Sequence, residues 1–369
     1  MDISPDVLVE ILLRLPPSAR RRARLVCKLW RDIIGGRTTE MQSRAEVLLW
    51  HTSSAVAYVV DDLSSSSTGS YTELWSSGRP DVQLVGTCNG LLCLCDNDND
   101  SYCTGVHITV VNPATKEKLP IPPLPCAEQV SHQWRWDTTY NFAYHPTTGR
   151  YKVVHVPSSF DRVCKHDTVR VFTLGQKEWR VVPVPGGKRC DLNAGIVSVD
   201  GVTHWVTDSV VLRVVSFDLN NEQVAASTIP FPSKPGRPED YNLAEVHGRL
   251  GLVIRNPAGM REAWVREEER WTRRYILTCS WHDIPRPHFA YGDYFLKTEG
   301  RLLYRYPRKG TLSSFGWRLP YDVLKVSDKD KRMLVAKMNG ERREFNYRTF
   351  AYVKTSEPLG VYTTRTSKV

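Results

Sequence analysis

The chain has 369 residues and a formal net charge of +10, with 41% hydrophobic and 24% charged residues. This composition is typical of a folded globular protein and excludes an intrinsically disordered chain. The longest apolar run, LLCLC, is too short to span a bilayer, and the first residues carry acids instead of the basic leader of a secreted protein. We therefore expect no membrane partner.

Nine cysteines are spread along the chain without a CxxC pair. A zinc site of the common kinds needs two such pairs, or one pair with matching histidines. Motifs of hydrolases, P-loop proteins and kinases are also missing from the sequence. We expect reduced thiols in the cytosol or nucleus, no metal, no cofactor and no catalytic residue.

The first predicted element is an amphipathic helix. Its apolar residues recur at helical spacing: Val7, Leu8, Ile11, Leu12 and Leu15. Pro5 suits the first helical turn, and Pro16 with Pro17 ends the helix.

A second helical region follows, with Ser18 as its candidate cap and Gly35 after its end. Its apolar face comprises Leu25, Val26, Leu29, Trp30, Ile33 and Ile34. The run RRRAR inside it fits the solvated face of a helix better than a nuclear import signal or a phosphate-binding patch. Residues 1–42 thus form a helical module too small to bury its own apolar stripes. We expect another chain to cover them; docking onto the rest of this chain is the alternative.

From residue 43 to 369 the pattern is that of β-structure. An apolar strand, a turn ending in glycine and a second strand recur, as in TCNGLLCL, SVDGVTHWV and EVHGRLGLVI. The recurring glycines are Gly90, Gly149, Gly201, Gly248, Gly300 and Gly340, at intervals of 59, 52, 47, 52 and 40 residues.

A second hairpin follows several of the first ones, as in VVNPATKEKLPIP and VRVFTLGQKEWRVVPVP. Two hairpins in each period make four antiparallel strands, which is the size of one propeller blade. The fold class predicted is therefore a small all-α N-terminal module followed by an all-β domain, a β-propeller of six or seven blades. A large sandwich of irregular hairpins is the structural alternative.

Most tryptophans lie on strand patterns and fit packing within and between blades. The segment HQWRWD is different, because it lies in a predicted loop. Exposed aromatic and arginine side chains are frequent in protein interfaces. We interpret Trp134, Arg135 and Trp136 as candidate contacts to a target.

The sequence as a whole resembles a known family. LVEILLRLPP followed by RLVCKLWRDII is similar to the F-box, the adaptor-binding module of Skp–cullin–F-box ubiquitin ligases. TCNGLLCLC, VVNPATKEKLP, FAYHPTTGRYKVV and GVTHWV resemble the F-box-associated, kelch-like propeller domain of plant proteins. The resemblance covers nearly the whole chain and implies a Skp-type adaptor, and through it a cullin, as partners. The adaptor-binding residues that it implies are Pro5, Leu8, Ile11, Leu12, Leu15, Pro16, Leu25, Val26, Cys27 and Trp30.

The function expected from this resemblance is that of a non-catalytic, substrate-recruiting subunit of such a ligase. Arg20, Arg21 and Arg22 stand where the F-box pattern is apolar. This leaves open a second reading, a binding propeller that recruits no ligase and contacts RNA or another acidic partner. Nucleic acid is the less favoured partner because acidic residues are interspersed almost everywhere. A propeller enzyme acting on a glycan or an ester is the third and least favoured reading.

Overall fold

A computed structural model describes residues 4–15, 19, 23, 26–30, 33, 46–60, 63, 71–96, 106–124, 136–146, 148–157, 167–184, 190–207, 213–228, 241–255, 260–267, 270–277, 286–291, 294–299, 302–307, 324–326, 333–337 and 347–363. The chain begins with helix α1 (Pro5–Arg14), which has proline in its first turn and ends before Leu15. A second helical region is described at Ala23, at residues 28–30 and at Ile33. None of the helices in these ranges is long and apolar enough to cross a membrane.

The first three groups of strands lie between residues 46 and 183. They are β1 (Glu46–His51), β2 (Val56–Val60) and β3 (Tyr71–Ser76), then β4 (Val82–Cys88), β5 (Leu91–Asp96), β6 (His107–Val111) and β7 (Lys118–Ile121), then β8 (Tyr140–His145), β9 (Arg150–His155), β10 (Thr168–Thr173) and β11 (Arg180–Pro183).

The remaining strands lie between residues 196 and 352. They are β12 (Ile196–Val199), β13 (Val202–Val206), β14 (Arg213–Asp218) and β15 (Val224–Thr228), then β16 (Tyr241–Val246), β17 (Arg249–Arg255), β18 (Arg261–Glu267) and β19 (Arg270–Leu277), then β20 (Ala290–Tyr291), β21 (Tyr294–Glu299), β22 (Leu302–Pro307), β23 (Leu324–Val326), β24 (Met333–Lys337) and β25 (Tyr347–Tyr352).

These strands form six sheets, the blades of a six-bladed β-propeller. From the innermost strand outwards, blade 1 is β25-β1-β2-β3, blade 2 is β4 to β7, blade 3 is β8 to β11 and blade 4 is β12 to β15. Blade 5 is β16 to β19 with β23 added, and blade 6 is β20-β21-β22-β24. The prediction of a propeller is confirmed, with the lower of the two blade numbers.

Blade 1 closes the ring, because its strands come from both ends of the β-domain. β25 pairs antiparallel with β1, from Glu46 opposite Tyr352 to His51 opposite Tyr347. Blade 5 also takes a strand from a distant part of the chain, since β23 pairs parallel with β19. The sequence pattern predicted neither the pairing of β25 with β1 nor that of β23 with β19, because pairing between strands far apart in sequence leaves no local signal.

The hydrophobic core is divided into six clusters, one at each junction between neighbouring blades. Side chains of blades 1 and 2 form one cluster, those of blades 2 and 3 the next, and so on around the ring to blades 6 and 1. Innermost strands are covered on both faces, so all six residues of β16 are buried. The buried residues of β16 include the polar Asn242 and Glu245, so this strand has no alternation of apolar and polar residues in its sequence.

Tight turns join the innermost strand to the second strand in several blades. Asn89–Gly90 has φ values of +46° and +82°, and Asp200–Gly201 and His247–Gly248 repeat this pair of positive angles. This is the pattern of two-residue type I′ hairpins, and it explains the glycine repeat in the sequence. Gly300 and Gly340 lie outside the described residues. Gly300 follows β21, the second strand of blade 6, so the repeat changes phase there and does not mark the same turn in every blade.

The turn at Gly90 also lies against the segment that follows β25. A methyl group on Gly90 would come within 2.0 Å of the Val353 carbonyl oxygen, whereas Gly78, at a similar φ of +72°, has nothing within 4 Å. Replacing either glycine by alanine would strain the backbone and lower stability by roughly 1–2 kcal/mol. We expect Gly90→Ala to cost about 2 kcal/mol more than Gly78→Ala, because its methyl group must displace backbone. Urea unfolding of the two variants measures this difference, and equal costs would contradict the close approach.

Candidate functional site

The N-terminal helical module has a small core of its own. Leu8 and Leu12 are 3% and 0% exposed, and they pack with Val9, Ala23 and Ile33. Leu15 and Trp30 are partly buried against the same cluster. We expected Leu8 and Leu12 to be buried against another chain, but they are already covered by other residues of the module. The helical spacing that places them on one face does not distinguish an internal core from an interface.

Other apolar side chains of the module are exposed. Val7, Ile11, Val26 and Leu29 are between 42% and 64% exposed, and Cys27 beside them is also exposed. Pro5 lies in the first turn of α1, while Pro16 and Leu25 lie outside the described residues. Ile11, Val26 and Cys27, all predicted as adaptor contacts, are thus accessible to a partner, and adaptor binding by them stays a prediction.

The predicted target contacts fall mostly outside the part of the chain that the structure describes. This is so for Trp134 and Arg135, and for the side chain of Trp136. The backbone from Trp136 to Thr139 forms a short 3-10 turn, and the Thr139 carbonyl accepts a hydrogen bond from the Val156 amide. Target binding by the HQWRWD segment therefore also stays a prediction.

The propeller axis is surrounded by polar side chains of the innermost strands. Several of them bond across a blade junction. Ser198 donates to Asn141 Oδ1 at 2.5 Å, Thr87 donates to the Ala351 carbonyl at 2.6 Å, and Thr349 donates to the His288 carbonyl. These contacts join neighbouring blades at their innermost strands.

A titratable pair joins blades 5 and 6. His288 Nδ1 lies 3.3 Å from Glu245 Oε2, with side-chain exposures of 16% and 8%. Burial raises the pKa of Glu245 to about 7, although a hydrogen bond from the Gly248 backbone opposes this. Burial first, and then the positive charge of Arg348, lowers the pKa of His288 to about 4. Near neutral pH the imidazole is therefore uncharged, and the carboxyl group is close to its midpoint.

Arg261 and Arg348 are close enough to Arg286 for their charges to act on it, and we call these three residues the arginine cluster. Arg348 Nη1 donates to the Leu84 carbonyl at 2.9 Å, and its guanidinium lies 4.9 Å from the centre of the Phe350 ring. Arg286 Nη1 donates to the Asn193 carbonyl at 3.0 Å. Arg261 is only 1% exposed, whereas Arg286 and Arg348 are half-buried.

The charges of Arg261 and Arg348 affect the guanidinium group of Arg286. Burial, followed by the positive charges of Arg261 and Arg348, lowers the pKa of Arg286 to about 10. An arginine at this value still carries its charge near pH 7. Arg286 therefore keeps its own positive charge beside those of Arg261 and Arg348.

Neither the arginine cluster nor the Glu245–His288 pair was identified from the sequence. Arginine and glutamate are common in this chain, with 50 Lys and Arg and 40 Asp and Glu residues. Their significance depends on which strand of each blade is innermost, and that is decided by pairing between distant strands.

The described residues contain no group of three or more His, Cys, Asp or Glu side chains suited to hold a metal ion. Cys27, Cys88, Cys93, Cys95 and Cys190 are present as thiols. Burial raises the pKa of the Cys88 and Cys93 thiols, so these two groups are protonated and poorly reactive at neutral pH.

Comparison with known proteins gives two matches to family models. The model of the F-box associated beta propeller domain matches residues 48–292, and the model of the F-box domain matches residues 1–38. An F-box protein of Arabidopsis thaliana is 27% identical over 312 residues, which are 74% of this chain and 72% of that protein. An F-box/kelch-repeat protein of the same plant is 25% identical over 286 residues, 71% of this chain and 75% of that protein.

Similarity to solved structures is weaker. The β-propeller domain of the Trilobed protease from Pyrococcus furiosus superposes with a TM-score of 0.34 at 11% identity, covering 62% of this chain and 70% of that one. Similarity at this level indicates nothing about the activity of this chain.

Proposed function

Since this chain belongs to the F-box associated beta propeller family and has an F-box at its N-terminus, we propose that it is a substrate-recruiting subunit of a Skp–cullin–F-box ubiquitin ligase. The F-box would bind a Skp-type adaptor, and through it a cullin, while the propeller would bind a target protein. The chain itself would perform no bond chemistry. Its contribution would be to hold the target close to the ubiquitin-transferring partners.

The observation that supports adaptor binding most directly is the exposed apolar surface of the helical module. Leu8 and Leu12 already fill its interior, yet Val7, Ile11, Val26 and Leu29 remain exposed. Burying an aliphatic side chain of this size contributes roughly 1.5–3 kcal/mol. Four such side chains on so small a module are more than internal packing requires, and an interface accounts for them.

The propeller supports the second half of the proposal by its construction. The ring is closed by β25, and side-chain hydrogen bonds cross the blade junctions at its centre. Binding residues lie disproportionately on loops that a rigid scaffold of this kind carries. A location in the cytosol or nucleus is part of this proposal.

Adaptor capture can be tested without unfolding the helical module. Ile11 is 42% exposed and Val26 64% exposed, so Ile11→Asp with Val26→Asp should leave the core around Leu12 intact. We expect this double variant to bind a purified Skp-type adaptor at least about 100-fold more weakly, because two apolar contacts are replaced by charges that must be desolvated. Isothermal titration calorimetry of the full chain measures the change.

The matched control is Val181→Asp, which changes a valine that is 53% exposed on the outer strand of blade 3. It should bind the adaptor as the unmodified chain does. If the unmodified chain fails to bind at low salt, or if the double variant binds normally, the ligase proposal is wrong. Leu12→Asp is unsuitable for this test, because it would place a charge in the core of the module and unfold it.

A further inference from the structure

The outer strand of blade 4, β15, is the least protected sheet edge that the structure describes. An outermost strand leaves one row of backbone N–H and C=O groups unpaired, and natural proteins protect such edges with charges, prolines, β-bulges or covering segments. We propose that β15 binds an extended segment of the target protein, which adds to blade 4 as a fifth strand and carries acidic side chains on the side that faces blade 5. This inference deepens the proposed function, because it takes the partner to be the recruited protein.

The other outer strands in the described part of the chain each carry a protective feature. β7 contains Lys118 and Pro120, and β11 contains Arg180 and Pro183. A β-bulge interrupts the pairing of β3 with β2 and that of β24 with β22, while the end of β19 is covered by β23. β15 reads VAAST, without charge or proline, and pairs with β14 over five consecutive residues without a shift in register. Its edge is therefore regular and uncharged.

The turn between β14 and β15 shows which backbone groups of β15 point outwards. The Asp218 amide donates to the Gln223 carbonyl at 3.0 Å, so these two residues form a hydrogen-bonded pair. In an antiparallel ladder such pairs alternate with pairs whose backbone groups point away from each other. Val224, Ala226 and Thr228 therefore direct their N–H and C=O groups away from β14, which is the arrangement that a further strand needs.

The outward row of β15 is bordered by small, accessible side chains. Ala225 and Ala226 are both exposed. Ala226 shares its face with Val224, which packs against the cluster between blades 3 and 4. Ala225 lies opposite Ser216 in the ladder, on the face towards blade 5. A strand added to β15 would therefore direct alternate side chains towards blade 3 and towards blade 5.

Blade 5 contributes an arginine and a tryptophan to its side of this edge. Arg266 Nη1 donates to Ser216 Oγ at 3.2 Å, so its guanidinium group reaches blade 4. Burial first, and then the charge of Arg266, lowers the pKa of His204 to about 3, so this neighbouring imidazole is uncharged near neutral pH. Trp271 lies opposite Arg266 on β19 and is half-buried. Tryptophan and arginine are enriched among the residues that dominate protein interfaces.

An acidic side chain complements this side of the edge. Asp218 on β14 accepts hydrogen bonds from backbone amides of its own turn, and Glu262 on β18 accepts one from Arg273 at 3.2 Å. The bond of Arg266 is to the hydroxyl group of Ser216, which carries no charge. Neighbouring strands lie about 5 Å apart, so an added strand would lie about 10 Å from β14. A glutamate side chain on it and the long side chain of Arg266 can together span that distance.

The test measures binding of fluorescein-labelled octapeptides to the full chain by fluorescence anisotropy. The probes are a peptide of alternating valine and glutamate, the same peptide with glutamine in place of glutamate, and two forms of the glutamate peptide that are N-methylated on every valine or on every glutamate. We expect the glutamate peptide to bind at least about 10-fold more tightly than the glutamine peptide. One N-methylated form should bind as the unmethylated peptide does and the other at least about 10-fold more weakly, because only alternate N–H groups of an added strand face β15.

Substitutions on the chain test the same contacts. Ala226→Pro removes an outward N–H group without breaking a bond to β14, and it should weaken binding of the glutamate peptide at least about 10-fold. The matched control Ala226→Ser keeps that N–H group and should change the affinity less than about 2-fold. Arg266→Gln should abolish the preference for glutamate over glutamine while the glutamine peptide binds as before. The N-methylated peptides decide the matter on the unmodified chain if Ala226→Pro does not fold.

Several results would overturn the inference. These are no binding of the glutamate peptide, equal effects of the two N-methylations, equal losses in Ala226→Pro and Ala226→Ser, and a preference for glutamate that survives Arg266→Gln. Self-association of the chain in analytical ultracentrifugation, if Ala226→Pro abolished it, would assign the edge to a second copy and would also overturn it. Adaptor binding is measured for every variant by calorimetry. Failure of the β15 site would leave adaptor binding unchanged, whereas failure of the ligase assignment would appear in the Ile11 and Val26 variants.

Discussion

A chain that ends at residue 346 is expected to lose cooperative folding at 25 °C, because it lacks the innermost strand of blade 1. Without β25, the inner edge of β1 has no partner, and the cluster between blades 1 and 2 loses Phe350 and Tyr352. A chain that ends at residue 352 keeps β25 but loses the segment 353–363, whose Leu359 and Tyr362 pack between blades 2 and 3. It should fold with reduced stability. Thermal unfolding, monitored by circular dichroism, ranks the stabilities of the full chain and of the chains that end at residues 352 and 346.

A point substitution tests the same closure without truncation. Phe350 is 1% exposed, and its replacement by alanine should cost about 3–5 kcal/mol. Val361→Ala is the matched control, since Val361 is 48% exposed and its replacement should change stability by no more than about 0.5 kcal/mol.

If the chain ending at 346 unfolded with the same midpoint as the full chain, closure by β25 would contribute nothing to stability.

The Glu245–His288 pair predicts opposite pH dependences for two variants. The pKa of Glu245 is raised from 4.5 to about 7, so the folded state holds its proton more tightly, and this contribution to stability is lost as pH rises from 4.5 to 7. The pKa of His288 is lowered from 6.5 to about 4, so the folded state disfavours its proton, and this contribution grows as pH rises from 4 to 6.5. In the unmodified protein these two opposite changes of unfolding free energy with pH largely cancel.

Replacing one residue of the pair should reveal the pH dependence of stability that the other residue causes. Relative to the unmodified protein, Glu245→Gln should gain roughly 3 kcal/mol in free energy of unfolding between pH 4.5 and 7, and His288→Gln should lose a similar amount between pH 4 and 6.5. Urea unfolding at intervals of one pH unit measures both differences. Differences of the same sign, or profiles parallel to that of the unmodified protein, would show that the two groups are not buried and coupled as the structure has them.

Much of the fold was predictable from local sequence. Asn89–Gly90, Asp200–Gly201 and His247–Gly248 mark hairpins because two successive residues with positive φ strongly favour such pairs. Proline at position 5 marked the start of α1 for an equally local reason. The repeat of these hairpins then indicated blades, since four strands are what two hairpins provide.

The candidate site was less accessible from sequence. Leu8, Leu12 and Ile11 share one helical pattern, yet the first two are buried in the module and Ile11 is 42% exposed. A periodicity of 3.6 residues gives the direction of a side chain, but it does not show how far a neighbouring helix covers that face. The pairing of Arg286 with Arg348 was equally hidden, since the two residues meet only through the register of segments far apart in sequence.

The sequence by itself determined the order of helical and β-regions, the tight turns and the family resemblance, because each depends on residues a few positions apart. Only the tertiary structure decided the number of blades, the closure by β25 and the pairing of Glu245 with His288. The physical reason is that ring closure pairs the two ends of the domain. The free energy of that pairing comes from apolar burial and hydrogen bonds between strands that no local pattern connects.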